Sequence, residues 1–359
     1  MKVCILGNGL TSLSLAKALV NLGLKVDIFS SSLKNVYDKS QTLGISRENV
    51  EYFNKYIINI DKLVWKINKI EVRSENLDNK KILDFENNKK SIFSIVKNYE
   101  LYNSLLLSLK KRRLISFRKN YGNNSNLKKY DLVVNTIPNN HISKKFFYKK
   151  IVKNYYSFGY VTIIYHKKVF PNRTALQIFT KKGPLAFLPI SENETSIVYS
   201  KRGERNLEKQ DLLDLIKKKN KIYKIKKIKD LKSFELKSSN LRSYYNKNIL
   251  AFGDLLHKLH PLAGQGFNMS IRDIKLLINL INFKKSLGLK VDSSICIEFE
   301  KKIKSQNYLF SSGIDLIYEF FKFESQFNNK IISKSIRFFG KNKTINQFFT
   351  KFADKGSFL

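Results

Sequence analysis

The residues best equipped for chemistry in this chain lie together at 253–268: Gly253-Asp254, His257, His260-Pro261, then Leu262-Ala263-Gly264-Gln265-Gly266-Phe267-Asn268. Asp254 follows the run 248–252, which places it at a strand end. Pro261 removes a backbone donor and fixes φ, so neither a continuing strand nor a helix interior passes through it. Gly264 and Gly266 flank Gln265 directly before a helical pattern over residues 267–282. A strand end, an acid, a rigid turn and a Gly-lined helix start describe a binding crevice. The N–H groups and positive dipole end of the helix suit an anionic or electron-rich ligand group. His257 and His260, three residues apart, could offer two imidazoles to a metal from one helical face. Pro261 and the nearby glycines argue against a helix there, and no third ligand is apparent, so no metal site is assigned. Both roles, hydrogen-bonded turn residue and catalytic base, stay open for these histidines. His141 and His166 have no recognisable partner, and no catalytic residue is assigned.

A second chemical pattern opens the chain. Gly7-x-Gly9-x-x-Ser12 stands between the apolar run 2–6 and a helical pattern carrying Leu13, Ala16, Leu19 and Val20 on one face. Gly7 permits a tight turn and Gly9 lets the backbone approach a pyrophosphate. Ser12 is a small substitute where a third glycine normally allows close helix–strand packing. Gly23 ends the helix, and Val26–Phe29 reads as a second strand, completing the start of a dinucleotide-binding unit. The acid that usually ends this strand and binds a ribose is replaced by Ser30. Asp27 lies inside the strand and is not equivalent.

These residues need elements to position them. Residues 46–56 and 98–110 read as helices, and 130–134 as another buried strand. Residues 62–95 change character, with short strands at 63–65, 70–72 and 82–85 between Asn- and Lys-rich turns. From 155 to 201 strands follow in series at 158–165, 174–180, 185–190 and 195–200, an antiparallel sheet distinct from the parallel region. Residues 207–219 read as an amphipathic helix and 229–237 as one more strand. Beyond 252 the pattern is helical to the end. The fold class is therefore α/β: a Rossmann-like domain from residues 1–60, 96–150 and 240–290, an interleaved antiparallel-sheet domain from 61–95 and 151–239, and C-terminal helices over 291–359. Phe158, Tyr160, Phe179, Phe187 and Tyr199 are strand aromatics that either fill a core or line an aromatic pocket.

Bulk composition sets the bounds. With 359 residues, 43% hydrophobic content, 18 Tyr and 27 Phe, the chain can bury a substantial core. No apolar stretch reaches the length needed to span a bilayer. The N-terminus does not read as a signal peptide, and Cys4 and Cys296 suggest neither a disulfide framework nor a metal cluster, so a cytoplasmic protein is expected. The net charge of +38 admits nucleic acid or an anionic membrane surface as partner. The overuse of Lys, Asn and Ile throughout instead reads as codon bias. No nucleic-acid motif interleaves the basic residues with aromatics, so no nucleic-acid partner is expected, whereas peripheral membrane contact stays open.

The run 253–268 resembles the Gly-Asp-Ala-Ala-His…His-Pro-Leu-Ala-Gly-Gln-Gly-Leu-Asn signature of FAD-dependent aromatic hydroxylases, and most of all their ubiquinone-biosynthesis branch. Lys182–Ile190 resembles that branch's Gly-Pro-Leu-Ala-Leu-Leu-Pro segment, and Ser196–Ser200 its Ser-x-Val-Trp-Ser strand. Ser40–Ser46 resembles an Arg-Thr-x-Ala-Leu-Ser segment with Gln41 in the Arg place. The resemblance implies a class A flavoprotein monooxygenase that hydroxylates a polyprenylated phenol, with FAD as cofactor, NAD(P)H as transient reductant and O2 as oxidant. It implies that Gly7, Gly9 and Ser12 line the FAD pyrophosphate and that Gly253 and Asp254 meet the ribityl or ribose hydroxyls. Pro261 would lie near the flavin ring, and Ala263, Gly264, Gln265, Gly266 and Asn268 would form the backbone facing its pyrimidine edge. The substrate pocket would lie between the antiparallel sheet and the flavin. One departure is pronounced: where the family carries an Asp-Gly pair after the 130–134 strand, this chain has Ile137-Pro138. An apolar side chain accepts no hydrogen bond and Pro donates none. With Ser30 and Gln41 this leaves a second reading, a non-catalytic flavin-binding or structural member of a ubiquinone-biosynthesis assembly. A third, a reductase acting on a polyprenyl chain, is disfavoured by the Gly-Pro-Leu-Ala-Phe-Leu-Pro segment.

Overall fold

The computed structural model describes residues 1–31, 37–86, 91–119, 127–260 and 265–326. Val3–Leu6 is buried on both faces of the strand Lys2–Leu6, as expected for the centre of a parallel sheet. This strand pairs in parallel with Lys25–Phe29 on one side and Leu132–Asn135 on the other. Ile115–Arg118 and Ile249–Ala251 extend the parallel sheet outward, and Tyr245–Asn246 closes one edge antiparallel. The helix Leu10–Asn21 returns the chain from the first strand to the second and is buried almost all round. It ends where Leu24 N–H bonds to the Leu19 carbonyl and Gly23 N–H to that of Val20, satisfying the last-turn carbonyls.

A second, nine-stranded sheet runs in the order His257–Lys258, Lys232–Leu241, Lys150–His166, Glu194–Arg202, Gly183–Pro189, Thr174–Thr180, Lys69–Ser74, Lys80–Glu86, with Ile225–Ile228 beside Lys150–His166. Its neighbours are antiparallel except that Thr174–Thr180 and Lys69–Ser74 run parallel. The sheet is thus mixed rather than purely antiparallel: Lys69–Ser74 arrives from a distant part of the chain, so no hairpin dictates its direction. One face packs under the helix Lys209–Lys219, where Tyr160, Ile164, Phe187, Ile197 and Tyr199 meet Leu212 and Ile216. A third sheet, Thr42–Ser46, Phe93–Lys97 and Val64–Ile67, stands between these two. The chain after Phe252 is not helical throughout, because His257–Lys258 forms a short strand on Ser239–Asn240. Beyond it lie the helices Gln265–Ser286 and Ser294–Gln326. Cys4 and Cys296 are both buried and free.

Candidate active site

The three parallel strands Lys2–Leu6, Leu132–Asn135 and Ile249–Ala251 are near neighbours, so the loops leaving their carboxyl ends are brought together. This is where ligands bind in doubly wound sheets. Gly7 sits in the first loop at φ +114°, a conformation that favours glycine, and a Cβ there would collide with the Thr136 hydroxyl of the second loop. Gly253 opens the third loop at φ +61° and lies against Thr11 in the first turn of the Leu10–Asn21 helix. Gly9 caps that helix with no side chain of its own. Ser12 is fully buried, its hydroxyl 2.8 Å from Thr136 Oγ1, which in turn donates to the Leu6 carbonyl at 2.8 Å. The Ser12 side chain therefore ties helix to strand and loop.

Asp254 reaches solvent at the floor of this crevice, yet the surrounding protein desolvates it. That enclosure pushes its carboxyl above the usual range, with His257 and Lys258 opposing the shift. A residue that the sequence did not single out faces it: Tyr37, whose hydroxyl accepts the Leu10 N–H at 3.0 Å. Its ring packs against Tyr102, with centroids 5.7 Å apart, and the Tyr102 hydroxyl accepts from Asn8 Nδ2 at 3.3 Å. The helix-start donor expected to meet a phosphate is thus held by a phenol from within the chain. Nothing in the local sequence marks Tyr37 for this, because the contact spans 27 residues.

The 253–268 run divides in two. Pro261, Ala263 and Gly264 lie outside the described residues. Gln265 and Gly266 form the first turn of Gln265–Ser286. Asn268 is buried and acts as a clamp: its Oδ1 accepts from Ser46 N and Asn49 Nδ2, both at 2.9 Å, while its Nδ2 donates to the Gly44 carbonyl at 3.0 Å. The helix start is thereby fixed to Thr42–Ser46. His257 Nε2 lies 2.5 Å from Asp273 Oδ2, both groups being buried. His260 is buried against the rings of Tyr155 and Tyr318, at 4.6 and 4.5 Å, and neither of its nitrogens has a hydrogen-bond partner. Burial, with Lys153 nearby, pushes its imidazole down to about 3. The two histidines thus have different surroundings, and among the described residues no His, Cys, Asp or Glu cluster could hold a metal.

The loop with Ile137-Pro138 is internally satisfied. Asn135 and Asn140 bond to each other, Asn135 Nδ2 also donates to Ser143 Oγ at 2.9 Å, and Ile137 N–H donates to Asn135 Oδ1 at 3.2 Å. Asn140 caps the helix His141–Phe146. Asp27 is buried away from Ser30's place, accepting from Tyr130 Oη at 2.6 Å with Lys2 Nζ at 3.2 Å and Arg118 Nε at 3.4 Å. Desolvation pushes the Asp27 carboxyl up, but these donors and charges prevail and hold it below its ordinary value.

On the sheet face opposite Tyr160, Phe187 and Tyr199 lies an apolar cavity of about 200 Å³. Its walls include Ala186, Leu188, Val198, Ser200, Thr42 and Gln265. The three segments resembling the hydroxylases, 40–46, 182–190 and 196–200, all contribute to it, and Thr42 Oγ1 and Ser196 Oγ lie 2.8 Å apart beside it. None of the five strand aromatics lines the cavity: Tyr160, Phe187 and Tyr199 belong to the core under the Lys209–Lys219 helix, Phe158 packs against that core, and Phe179 packs with Leu77 and Ile82. The alternation along these strands marks two faces, and the helix Lys209–Lys219 covers the one that carries Tyr160, Phe187 and Tyr199.

Comparison with known proteins accords with this geometry. Residues 154–283 match the family model described as FAD binding domain. The 3-demethoxyubiquinol 3-hydroxylase of Escherichia coli is 30% identical over 155 residues, covering 41% of this chain and 40% of that enzyme. A mitochondrial ubiquinone biosynthesis monooxygenase of Schizosaccharomyces pombe is 23% identical over 117 residues, 32% of this chain and 24% of that protein. The chain thus carries a match to an FAD binding domain and resembles FAD-dependent hydroxylases over part of its length. Among solved members of this fold, p-nitrophenol 4-monooxygenase from Pseudomonas putida superposes with a TM-score of 0.78 at 11% identity, over 99% of this chain and 98% of that one. Klebsiella pneumoniae HpxO complexed with FAD and uric acid gives 0.73 at 13%, over 97% and 95%. The sequence matches span less than half the length of these two curated hydroxylases.

The crevice fits FAD in its glycine positions, in the solvent-reaching Asp254, and in a helix start that reaches the cavity through Gln265. Tyr37 is the one group that a phosphate would have to displace from Leu10 N–H.

Proposed function

We propose that this protein is an FAD-dependent monooxygenase that hydroxylates the ring of a polyprenylated phenol in ubiquinone biosynthesis. The observation carrying the proposal is that Gln265, in the first turn of the motif helix, is also a wall of the apolar cavity. A ring in that cavity would lie against the place where the flavin is expected. The volume agrees: an apolar cavity of roughly 150 Å³ accepts benzene, so about 200 Å³ suits one substituted ring. A polyprenyl tail must then lie outside it. The named relatives in Escherichia coli and Schizosaccharomyces pombe support a ubiquinone precursor as substrate.

In this reading NAD(P)H supplies two electrons. One atom of O2 enters the ring as hydroxyl and the other leaves as water. FAD, when bound, supplies the oxygen activation and transfer. The chain's own work is binding, orientation and exclusion of water. Gly7 and Gly9 bring backbone to the pyrophosphate, and Asp254 accepts from sugar or ribityl hydroxyls. The Gln265 helix start favours negative charge at the ring's pyrimidine edge. The apolar walls Ala186, Leu188 and Val198 keep water from the reacting carbon.

The internally bonded loop 135–143 specifically favours the alternative, a flavin-binding member of an assembly without turnover. One experiment separates the two readings: record the visible spectrum of the purified protein after FAD addition, then follow NADH and NADPH oxidation with and without a prenylated phenol. Phenol-stimulated oxidation with a hydroxylated product supports the enzyme. Flavin without turnover supports the alternative, and failure to bind FAD refutes the enzyme and leaves only a structural member of the assembly.

A further inference from the structure

The helix Ser294–Gln326 is apolar on two faces. Its inward seam, Phe299, Ile303, Phe310, Ile314 and Tyr318, is buried. Its outward side carries a second stripe: Leu309, Leu316, Phe320 and Phe323 are 58%, 53%, 45% and 51% exposed, with only Ser312 and Gly313 filling the turn between Leu309 and Leu316. Steps of three, four and seven residues put these side chains in one row. A one-sided surface helix needs no such row. The acids along this stretch are already matched, Glu319 by Lys153 at 3.3 Å and Lys322 at 3.2 Å, and Asp315 by Lys153 at 4.0 Å. Lys301 and Lys302 are exposed about two turns upstream of Leu309.

The inward side of the same segment packs against the sheet beside the apolar cavity. Phe321 stacks on Phe179 with centroids 3.5 Å apart. Tyr318, Phe321 and Lys322 line a small cavity that shares Pro184 with the larger one. The C-terminal end of the exposed row, at Phe320 and Phe323, is therefore on the opposite side of the helix from residues that share Pro184 with the ring pocket.

We infer that the Leu309–Phe323 row is a docking surface for a bilayer with anionic headgroups, and that it brings the wall of the substrate cavity to the membrane. Charge decides the occupant. A second copy of this chain would bring another +38 against the first, whereas an anionic surface is complementary. Leucine and phenylalanine in a row beside lysines is the composition of a helix that lies in a membrane interface. The delivery half of this inference rests on the proposed polyprenyl substrate, whose tail the cavity cannot hold. The docking half does not.

The test is vesicle flotation of the full-length protein at about 0.15 M salt, where weak surface charge effects are screened. Phosphatidylcholine vesicles are compared with vesicles also containing phosphatidylglycerol. Wild type is expected to float with the anionic vesicles. Combined Leu309→Ser, Leu316→Ser, Phe320→Ser and Phe323→Ser should lower that binding by about tenfold or more, as the loss of several inserted apolar side chains implies. Phe283→Ser with Leu287→Ser and Leu289→Ser, an equally exposed apolar group elsewhere, should leave it unchanged. A Leu316→Trp variant should show blue-shifted emission with anionic vesicles, relative to wild type. Equal binding by the row variant, no shift for Leu316→Trp, or light scattering in which the row variant alone turns a dimer into a monomer would each overturn the inference. Hydroxylation of a short-chain, water-soluble phenol is measured in parallel. Membrane binding without hydroxylation keeps the docking surface and removes the proposed function; hydroxylation without binding does the reverse.

Discussion

Tyr37→Phe should make the protein bind FAD more tightly. The Tyr37 hydroxyl accepts the Leu10 N–H at 3.0 Å, at the start of the helix where a dinucleotide phosphate is expected. A phosphate oxygen and the phenol cannot both take that donor, so FAD binding carries the cost of breaking the bond. A neutral hydrogen bond of this kind contributes about 0.5–1.5 kcal/mol net. Burial pushes the Tyr37 phenol above its ordinary range, so it is neutral at working pH. Phe keeps the ring against Tyr102 and removes only the competing oxygen. The affinity should therefore rise by about two- to tenfold. The apoprotein should lose the same free energy, lowering its urea midpoint, while the FAD-saturated form should not. Titration of apoprotein with FAD, followed by quenching of flavin fluorescence, measures the first effect, and denaturation with and without FAD the second. Unchanged or weaker FAD binding by Tyr37→Phe would refute the competition and assign the hydroxyl to the bound cofactor instead.

Three further outcomes follow from the site. Asn268→Ala removes three buried hydrogen bonds and strands Ser46 N–H and the Gly44 carbonyl; a loss of about 3 kcal/mol in urea unfolding is expected, and a loss below about 1 kcal/mol contradicts the clamp. Ala186→Phe places a ring in the cavity and should abolish phenol-stimulated NAD(P)H oxidation while bound flavin is unchanged; a coincident loss of flavin would show that the cavity and cofactor site were misassigned. His260 is held neutral down to about pH 3, whereas the unfolded chain takes up the proton near pH 6.5. Its contribution is complete above that value and drains as pH falls towards 3, about 1.4 kcal/mol per unit, or roughly 2 kcal/mol by pH 5. His260→Phe should accordingly lose less stability than wild type between pH 7 and pH 5, and parallel profiles would speak against this.

Much of this architecture was legible in local pattern. Gly7 and Gly9 stand where the hydrophobic period changes from strand to helix, and Asp254 stands where a buried strand stops. Both signals come from a few adjacent residues. Tyr37 and the Asn268 clamp were not legible, because each acts on a partner fixed only by tertiary packing. Thr42–Ser46 was not read as a strand; its five residues include a glycine and gain their order from pairing with Phe93–Lys97. The alternation along 183–189 and 194–202 shows that these strands have two faces. It does not say which face a helix covers. Phe187 and Tyr199 filled the space under Lys209–Lys219, and the small residues between them were left to form the cavity.

The Asn268 clamp also has a consequence in time. It joins Ser46 to a residue 222 positions later. A ribosome adding about 5–20 residues per second needs roughly 10–45 s to cover that interval. For all but its last twenty or so residues the Gly7–Gly9 loop exists while Ile249–Ala251, Asp254 and the motif helix do not. A chain interrupted before Asn268 cannot complete the proposed flavin site, so bound flavin in a purified sample would report that synthesis ran at least through that residue.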